Sequence, residues 1–344
     1  MAEKRVTIKD IAEKLGVSYG IINKALNNKS GISEEMKERI LTTANEMGYR
    51  VNKVAQSMAR NTIVIGVVIP EQKKDYFSFL QKGLDKEFER LADYNVQCRY
   101  YSIKNVYSVL DTVEALTHCI NDNVSGIILC DFFPSGLDKI FCDLEEKRIP
   151  IVIIGDSASI GNRYLSSIQV DAYRSGQMAA EMLGLCKKEN SNVAIFVGHK
   201  DNIEHMMKIK GFSDFVSEYG LNSIGVYETY DDEAISLRLF RNISQGKEKL
   251  NGLYVATSTF SSIANVLKEE AHDIRVVCTD VDCYVAESLR LGTVQCSLFQ
   301  DLEHQGSRAV RIIYEYIAEH KVPPKTIYIT PQLVLKSNLD TFLS

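Results

Sequence analysis

The stretch Val6-Thr7-Ile8-Lys9-Asp10-Ile11-Ala12-Glu13-Lys14-Leu15-Gly16-Val17-Ser18 decides how the N-terminal part of the chain is read. Thr7 is an N-cap residue with Asp10 three positions on, and Ile8, Ile11, Ala12 and Leu15 follow at helical spacing. Gly16 stops that helix, because glycine takes the left-handed conformation at little cost. Ser18 caps a second helix with Ile21, Ile22, Ala25 and Leu26. Two helices joined by a short turn with glycine form a helix-turn-helix. Ser33 opens a third helix, whose Met36, Ile40, Ala44 and Met47 face inward, and Gly48 ends it. The second helix turns Ser18, Tyr19, Gly20, Asn23, Lys24 and Asn27 outward. In such a motif that helix enters the major groove, where Tyr, Asn and Lys can donate to phosphates or bases. An ordinary polar helix face has the same pattern, so spacing alone leaves both readings open.

Charge separates this head from the rest. Residues 1–62 carry 11 Lys/Arg against 7 Asp/Glu, a net +4, and the remainder carries 29 against 38, a net −9. A basic module on an acidic body is the asymmetry expected of a chain that meets a polyanion. The 344 residues predict two or three folding units. With 45% hydrophobic and 25% charged residues, the composition is that of a globular protein and excludes disordered and fibrous classes. The longest apolar stretch, Ile63–Pro70, is 8 residues, far short of the about 20 a membrane span needs. No apolar region follows the first residues, so the cytoplasm is the expected compartment. The eight cysteines form no CxxC pair and are expected to be reduced, mostly buried thiols. The six histidines show no metal-ligand spacing, and P-loop, GxGxxG, HExxH and GxSxG motifs are missing. No enzymatic activity, metal or cofactor is expected.

The opening stretch also resembles the start of a LacI/GalR-family repressor. The likeness continues through Ala25-Leu26-Asn27, Ile32-Ser33, Met47-Gly48-Tyr49, Asn52, Ala55-Gln56-Ser57-Met58-Ala59 and Ile65-Gly66-Val67-Val68-Ile69-Pro70. The resemblance implies a dimeric transcription regulator, in which each headpiece reads one half of a near-palindromic operator. It implies a headpiece over 1–50, a hinge helix over 51–61 and an effector-binding, dimerising body over 62–344. Met58 matches the family's apolar wedge in the central minor-groove step, which kinks DNA at a cost of a few kcal/mol. The implied DNA-contacting set is Thr7, Ser18, Tyr19, Gly20, Asn23, Lys24, Asn27, Asn52, Ala55, Gln56 and Met58. Three positions depart from the family pattern: Ile21 replaces a Thr, Asn23-Lys24 replaces Ser-Arg, and Val51 replaces a Pro. Lysine lacks the planar fork of arginine, so guanine reading there is looser.

The body alternates β-branched runs with helical segments. Strands are expected at Ile63–Ile69, Val96–Ser102, Gly126–Cys130, Pro150–Ile154, Ser166–Val170, Asn192–Val197, Gly225–Glu228, Gly252–Ala256, Arg275–Cys278 and Val294–Leu298. That rhythm predicts two doubly wound parallel-sheet subdomains. The family resemblance identifies them with the periplasmic-binding-protein type I fold. The expected boundaries are about 62–170 with 298–326, and 171–297 with 327–344. Ligands of such sheets bind beyond the carboxyl ends of the strands, in the cleft between subdomains. Strand ends there offer Asp75, Tyr76, Phe77, Asp131, Phe132, Asp156, Lys208, Asp280 and Gln300. In relatives the position of Asp280 accepts sugar hydroxyls, and the position of Lys208 is an arginine that donates to the ligand. Phe77 and Phe132 are expected to stack on a ring.

These residues point to a ligand-responsive DNA-binding regulator, a repressor whose cleft senses a carbohydrate and transmits it allosterically. The expected partners are double-stranded operator DNA, a small-molecule effector and a second copy of the chain, with no membrane. A nucleobase-type corepressor is the alternative. A non-regulatory solute-binding protein is the reading from a different class.

Overall fold

The structure is a computed structural model that describes residues 6–26, 30–49, 61–71, 75–104, 108–130, 136–155, 163–186, 190–269 and 273–343. The chain divides into two compact units, residues 1–61 and 62–344.

The first unit holds helices α1 (Ile8–Leu15), α2 (Tyr19–Leu26) and α3 (Glu34–Glu46). Thr7 and Asp10 form a reciprocal capping box: Asp10 N–H donates to Thr7 Oγ1 at 3.4 Å, and Thr7 N–H donates to Asp10 Oδ2 at 2.7 Å. Gly16 closes α1 at φ 65°, where a side chain would be strained. Ile11, Ile22, Ala25, Ile40 and Ala44 form the buried centre, with Leu15, Ile21, Met36 and Met47 packed around it.

The second unit contains two sheets of six strands. The first contains β1 (Ile63–Pro70), β2 (Val96–Ile103), β3 (Gly126–Cys130), β4 (Ile151–Ile154), β5 (Ser166–Val170) and β11 (Thr326–Ile329), in the order β11-β5-β4-β3-β1-β2. All its pairings are parallel. The second contains β6 (Ser191–Val197), β7 (Leu221–Glu228), β8 (Leu250–Val255), β9 (Arg275–Thr279), β10 (Cys296–Phe299) and β12 (Gln332–Val334), in the order β12-β10-β9-β8-β6-β7. Only β12 runs antiparallel. Strands such as β3 are buried on both faces, which is why they read as continuous apolar runs.

Helices cover the sheets. In the first lobe these are α4 (Asp75–Leu91), α5 (Val109–Asn121), α6 (Asp138–Glu146) and, from far along the chain, α12 (Leu302–Glu319). In the second they are α7 (Ala172–Cys186), α8 (Ile203–Val216), α9 (Glu233–Ser244), α10 (Ser261–Glu269) and α11 (Cys283–Leu291). α7 buries Ala172, Ser175, Gly176, Ala179, Ala180 and Leu183, a single stripe of mostly small residues that lets α8 approach closely.

Two expectations are corrected. β11 and β12 are absent from the strands expected from the sequence, and each extends a sheet at its edge. The chain also passes between lobes a few residues later than the expected boundaries. Phe299 still pairs with Gln332 in the second sheet, and Thr326–Ile329 pair with Ser167–Val170 in the first, so the crossings fall at 300–301 and 330–331.

Candidate functional site

The polar side chains of the second lobe converge where its parallel strands end. Lys208 sits on α8 and is only 2% exposed. Its Nζ lies 2.7 Å from Glu204 Oε1, one helical turn earlier. Burial pulls the Lys208 ammonium down, but the carboxylate of Glu204, with smaller contributions from Tyr254 and Asp280, leaves it above its ordinary value. Burial likewise works against ionisation of Glu204, and Lys208 reverses that, holding its carboxyl below the usual range. The two groups form a charged pair.

Asp280 follows β9 directly, in the left-handed region at φ 59°. Its Oδ1 accepts Gln300 N–H at 2.9 Å and its Oδ2 accepts Gln300 Nε2 at 2.7 Å. Ser297 donates to the Asp280 carbonyl. Burial pushes the Asp280 carboxyl up to about 6, against the lowering effect of the Gln300 hydrogen bonds and of Lys208. Gln300 follows β10 and is 3% exposed. Its Oε1 is buried with no hydrogen-bond partner among the described residues. A buried carbonyl-type oxygen left unsatisfied costs stability, so an orphan acceptor here marks a place for a donor from outside. Gln305 Nε2 holds the Gln300 carbonyl at 2.8 Å and fixes the segment between the lobes.

The neighbouring strand ends add to the group. Asp231, in the loop after β7, reaches across the end of β6 and accepts Thr257 Oγ1 from the end of β8 at 2.5 Å. Gly198 makes that reach possible: a Cβ there would lie 2.6 Å from the Asp231 carboxylate. Tyr254 is fully buried on β8, and Thr279 Oγ1 donates to its hydroxyl at 3.4 Å. His205, beside Glu204, is pushed down by burial and by the Lys208 charge, so its imidazole is neutral near pH 7. β6 and β8 are adjacent strands whose connections leave in different directions, the switch point where open α/β sheets bind ligands.

Of the expected ligand residues, Lys208, Asp280 and Gln300 come together here. Phe77 lies on α4 and is buried in the apolar cluster of the first sheet with Leu80 and Leu84. Asp131, Phe132 and Asp156 lie outside the described residues, as do the side chains of Asp75 and Tyr76. Sequence reasoning misses Glu204, His205, Asp231, Thr257 and Tyr254. The four-residue spacing of Glu204 and Lys208 and the strand-end positions of Asp231 and Thr257 are signals present in the sequence.

In the head, Ser18 just before α2 and Tyr19, Gly20 and Lys24 on it are exposed, with Tyr19 58% accessible, and Asn23 is half-buried. Thr7 is exposed but its side chain serves the capping box. Ile21 turns partly into the core. Asn27, Asn52, Ala55, Gln56 and Met58 lie outside the described residues. All eight cysteines are free thiols. Among the described residues no His, Cys, Asp and Glu cluster could hold a metal ion, and no helix is long and apolar enough to cross a membrane.

A helix-turn-helix head followed by a two-lobed α/β body with a polar cluster at its strand ends defines a ligand-responsive DNA-binding regulator. Residues 7–52 match the bacterial regulatory proteins of the lacI family, and residues 65–321 match the periplasmic binding protein domain. The chain belongs to the lacI family of transcription regulators and carries a periplasmic-binding-protein sensor. It is similar to the HTH-type transcriptional regulator pepR1 of Lactobacillus delbrueckii subsp. lactis, at 23% identity over 98% of this chain and 99% of the relative. Catabolite control protein A of Priestia megaterium is 22% identical over 97% of this chain and 99% of its own length. The body shares its fold with GanP, a glucose-galactose binding protein from Geobacillus stearothermophilus, with a TM-score of 0.72 and 20% identity, covering 81% of this chain and 99% of that one.

Proposed function

We propose that this regulator binds operator DNA through α2 and senses a sugar or sugar-like polyol at the carboxyl ends of its sheets. The observation that carries this is the cluster of Lys208, Asp280 and Gln300, with the buried Gln300 Oε1 unsatisfied among the described residues. Carboxylate and amide oxygens accept from hydroxyls and an ammonium donates to them, so the set suits a ligand with several hydroxyl groups. The glucose-galactose ligand named for GanP supports the same class. A homodimer places two heads on a near-palindromic operator, and a chromosomal target puts the protein in the cytoplasm. Effector binding changes operator affinity only through a difference between the two states, and DNA then changes effector affinity by the same factor.

Thermal melting of the full chain against neutral sugars, sugar phosphates and nucleobases tests this. A ligand that binds only the folded state adds ~2.7 kcal/mol at 100-fold excess over its Kd. A shift with a sugar that disappears in Asp280→Ala, while operator binding is kept, is the expected result. A shift confined to nucleobases would favour the corepressor reading.

A further inference from the structure

The chain crosses between the lobes of the body at 170–171, 300–301 and 330–331. The first and third crossings are tied to each other through the main chain, where Asp171 N–H donates to the Ile329 carbonyl at 3.0 Å. The second is tied by side chains. Toward the second lobe, Asp280 accepts the Gln300 N–H at 2.9 Å and its Nε2 at 2.7 Å. Toward the first lobe, the Gln300 carbonyl accepts Gln305 Nε2 from α12 at 2.8 Å. Asp301, in the left-handed region at φ 52°, caps α12 by accepting His304 N–H at 3.1 Å. Its carbonyl accepts Gln305 N–H, also at 3.1 Å. One residue of α12 therefore holds both carbonyls of this crossing.

The placement of that residue is informative. Asp301 is the N-cap of α12, so Gln300 precedes the cap and Gln305 is the fourth residue of the helix. Apolar side chains at these two places often pack together and fix the angle at which the chain enters a helix. Both are glutamines here, and Gln305 is 2% exposed. A directional hydrogen bond thus replaces an apolar contact. A buried amide costs free energy unless its polar atoms are paired, so the bond to the Gln300 carbonyl is what makes a glutamine tolerable in this place. The bond also spans the backbone torsions of Asp301, a residue in a conformation that non-glycine residues enter only at a cost. Interlobe motion is absorbed by a few such torsions.

We propose that Gln305 is a positioning residue that locks the angle between the two lobes, acting through the Gln300 carbonyl and the left-handed turn at Asp301. Gln300 also carries the orphan Oε1 and the bonds to Asp280, so the same lock sets where these acceptors stand relative to the first lobe. The proposal rests on the reading of that cluster as the effector site. Its test needs no effector, so the lock can fail while the sugar reading stands, and the reverse.

Hydrogen exchange of the full chain, read peptide by peptide, compares the parent with Gln305→Met and Gln305→Asn. Methionine keeps the length and bulk of the side chain and cannot donate. Asparagine keeps the amide and is one methylene shorter. Both should speed exchange in the peptides covering all three crossings by about five- to tenfold, the weight of one buried hydrogen bond, and leave β3 and β9 at the parent's rate. Gln305→Asn keeps the test valid if Gln305→Met folds poorly. Methionine matching the parent while asparagine loosens the crossings would make Gln305 a filler of space and overturn the lock. Faster exchange confined to 299–305 would reduce the bond to a local cap, and faster exchange throughout the first sheet would make it part of the packing of α12. Either result overturns the proposal, as does unchanged exchange in both variants.

Discussion

At the scale of single residues, Asp280 concentrates the chemistry of the second lobe. It follows β9, accepts two hydrogen bonds from Gln300, and lies within the field of Lys208. Its folded value of about 6 lies above the ordinary carboxylate range because burial disfavours the charged form. The folded state therefore holds this proton more tightly than the unfolded chain does. The associated stability is present at low pH and is lost as pH rises through about 6. Asparagine cannot ionise, and Gln300 can turn its free Oε1 toward the amide that Asp280→Asn introduces. The stability of Asp280→Asn relative to the parent should therefore climb between about pH 4.5 and 7, as read by urea unfolding. A constant difference across that window would remove Asp280 as the titrating group. Asp280, Lys208 and Gln300 were legible in the sequence because each stands beside a recognisable strand or motif. Asp231 was not, because its approach to Thr257 depends on Gly198 lacking a side chain, and that is a property of the folded backbone.

At the scale of elements, glycines set the distance between helices. A Cβ on Gly176 of α7 would fall 2.1 Å from the Lys208 carbonyl, and one on Gly211 of α8 would fall 1.9 Å from that of Tyr173. Backbone meets backbone at this crossing, and the crossing fixes where Lys208 enters the site. Gly176→Ala should push α8 away, destabilise the chain by about 1–3 kcal/mol and weaken ligand binding as well. Gly184→Ala, which strikes only the Tyr219 side chain near the far end of α7, should cost stability while leaving ligand affinity close to that of the parent. Paired urea melts and titrations distinguish the two, and equal losses of affinity would discard the positioning role. The central strands could be read directly because burial on both faces demands unbroken apolar runs. β11 and β12 could not, because edge strands of 4 and 3 residues, partly exposed, have compositions close to that of a loop.

At the scale of the whole molecule, head and body each have a hydrophobic core of their own. The head's net +4 lies in residues 1–62 and the body is acidic, so the attraction for DNA belongs to the head. A fragment spanning 62–344 should keep the melting shift given by the effector and lose salt-dependent DNA binding, as measured by melting and by electrophoretic shift. Loss of the effector response in that fragment would mean that the site needs the head. The division into head and body was legible from charge and motif, and the two sheets from the strand rhythm. The crossing points of the chain were legible only approximately, because they depend on which sheet accepts each short edge strand.

Those crossings also govern the order in which the protein can be completed during synthesis. The first five strands of the first sheet are made by residue 170, yet α12, which covers that sheet, and β11, which closes its edge, arrive only between residues 302 and 329. At roughly 5–20 residues per second, the ribosome leaves that sheet with α4, α5 and α6 but without α12 for about seven to thirty seconds. During this interval the apolar surface reserved for Ala309, Val310 and Ile313 is open, and the nascent first lobe is a substrate for chaperones until almost the whole second lobe has emerged.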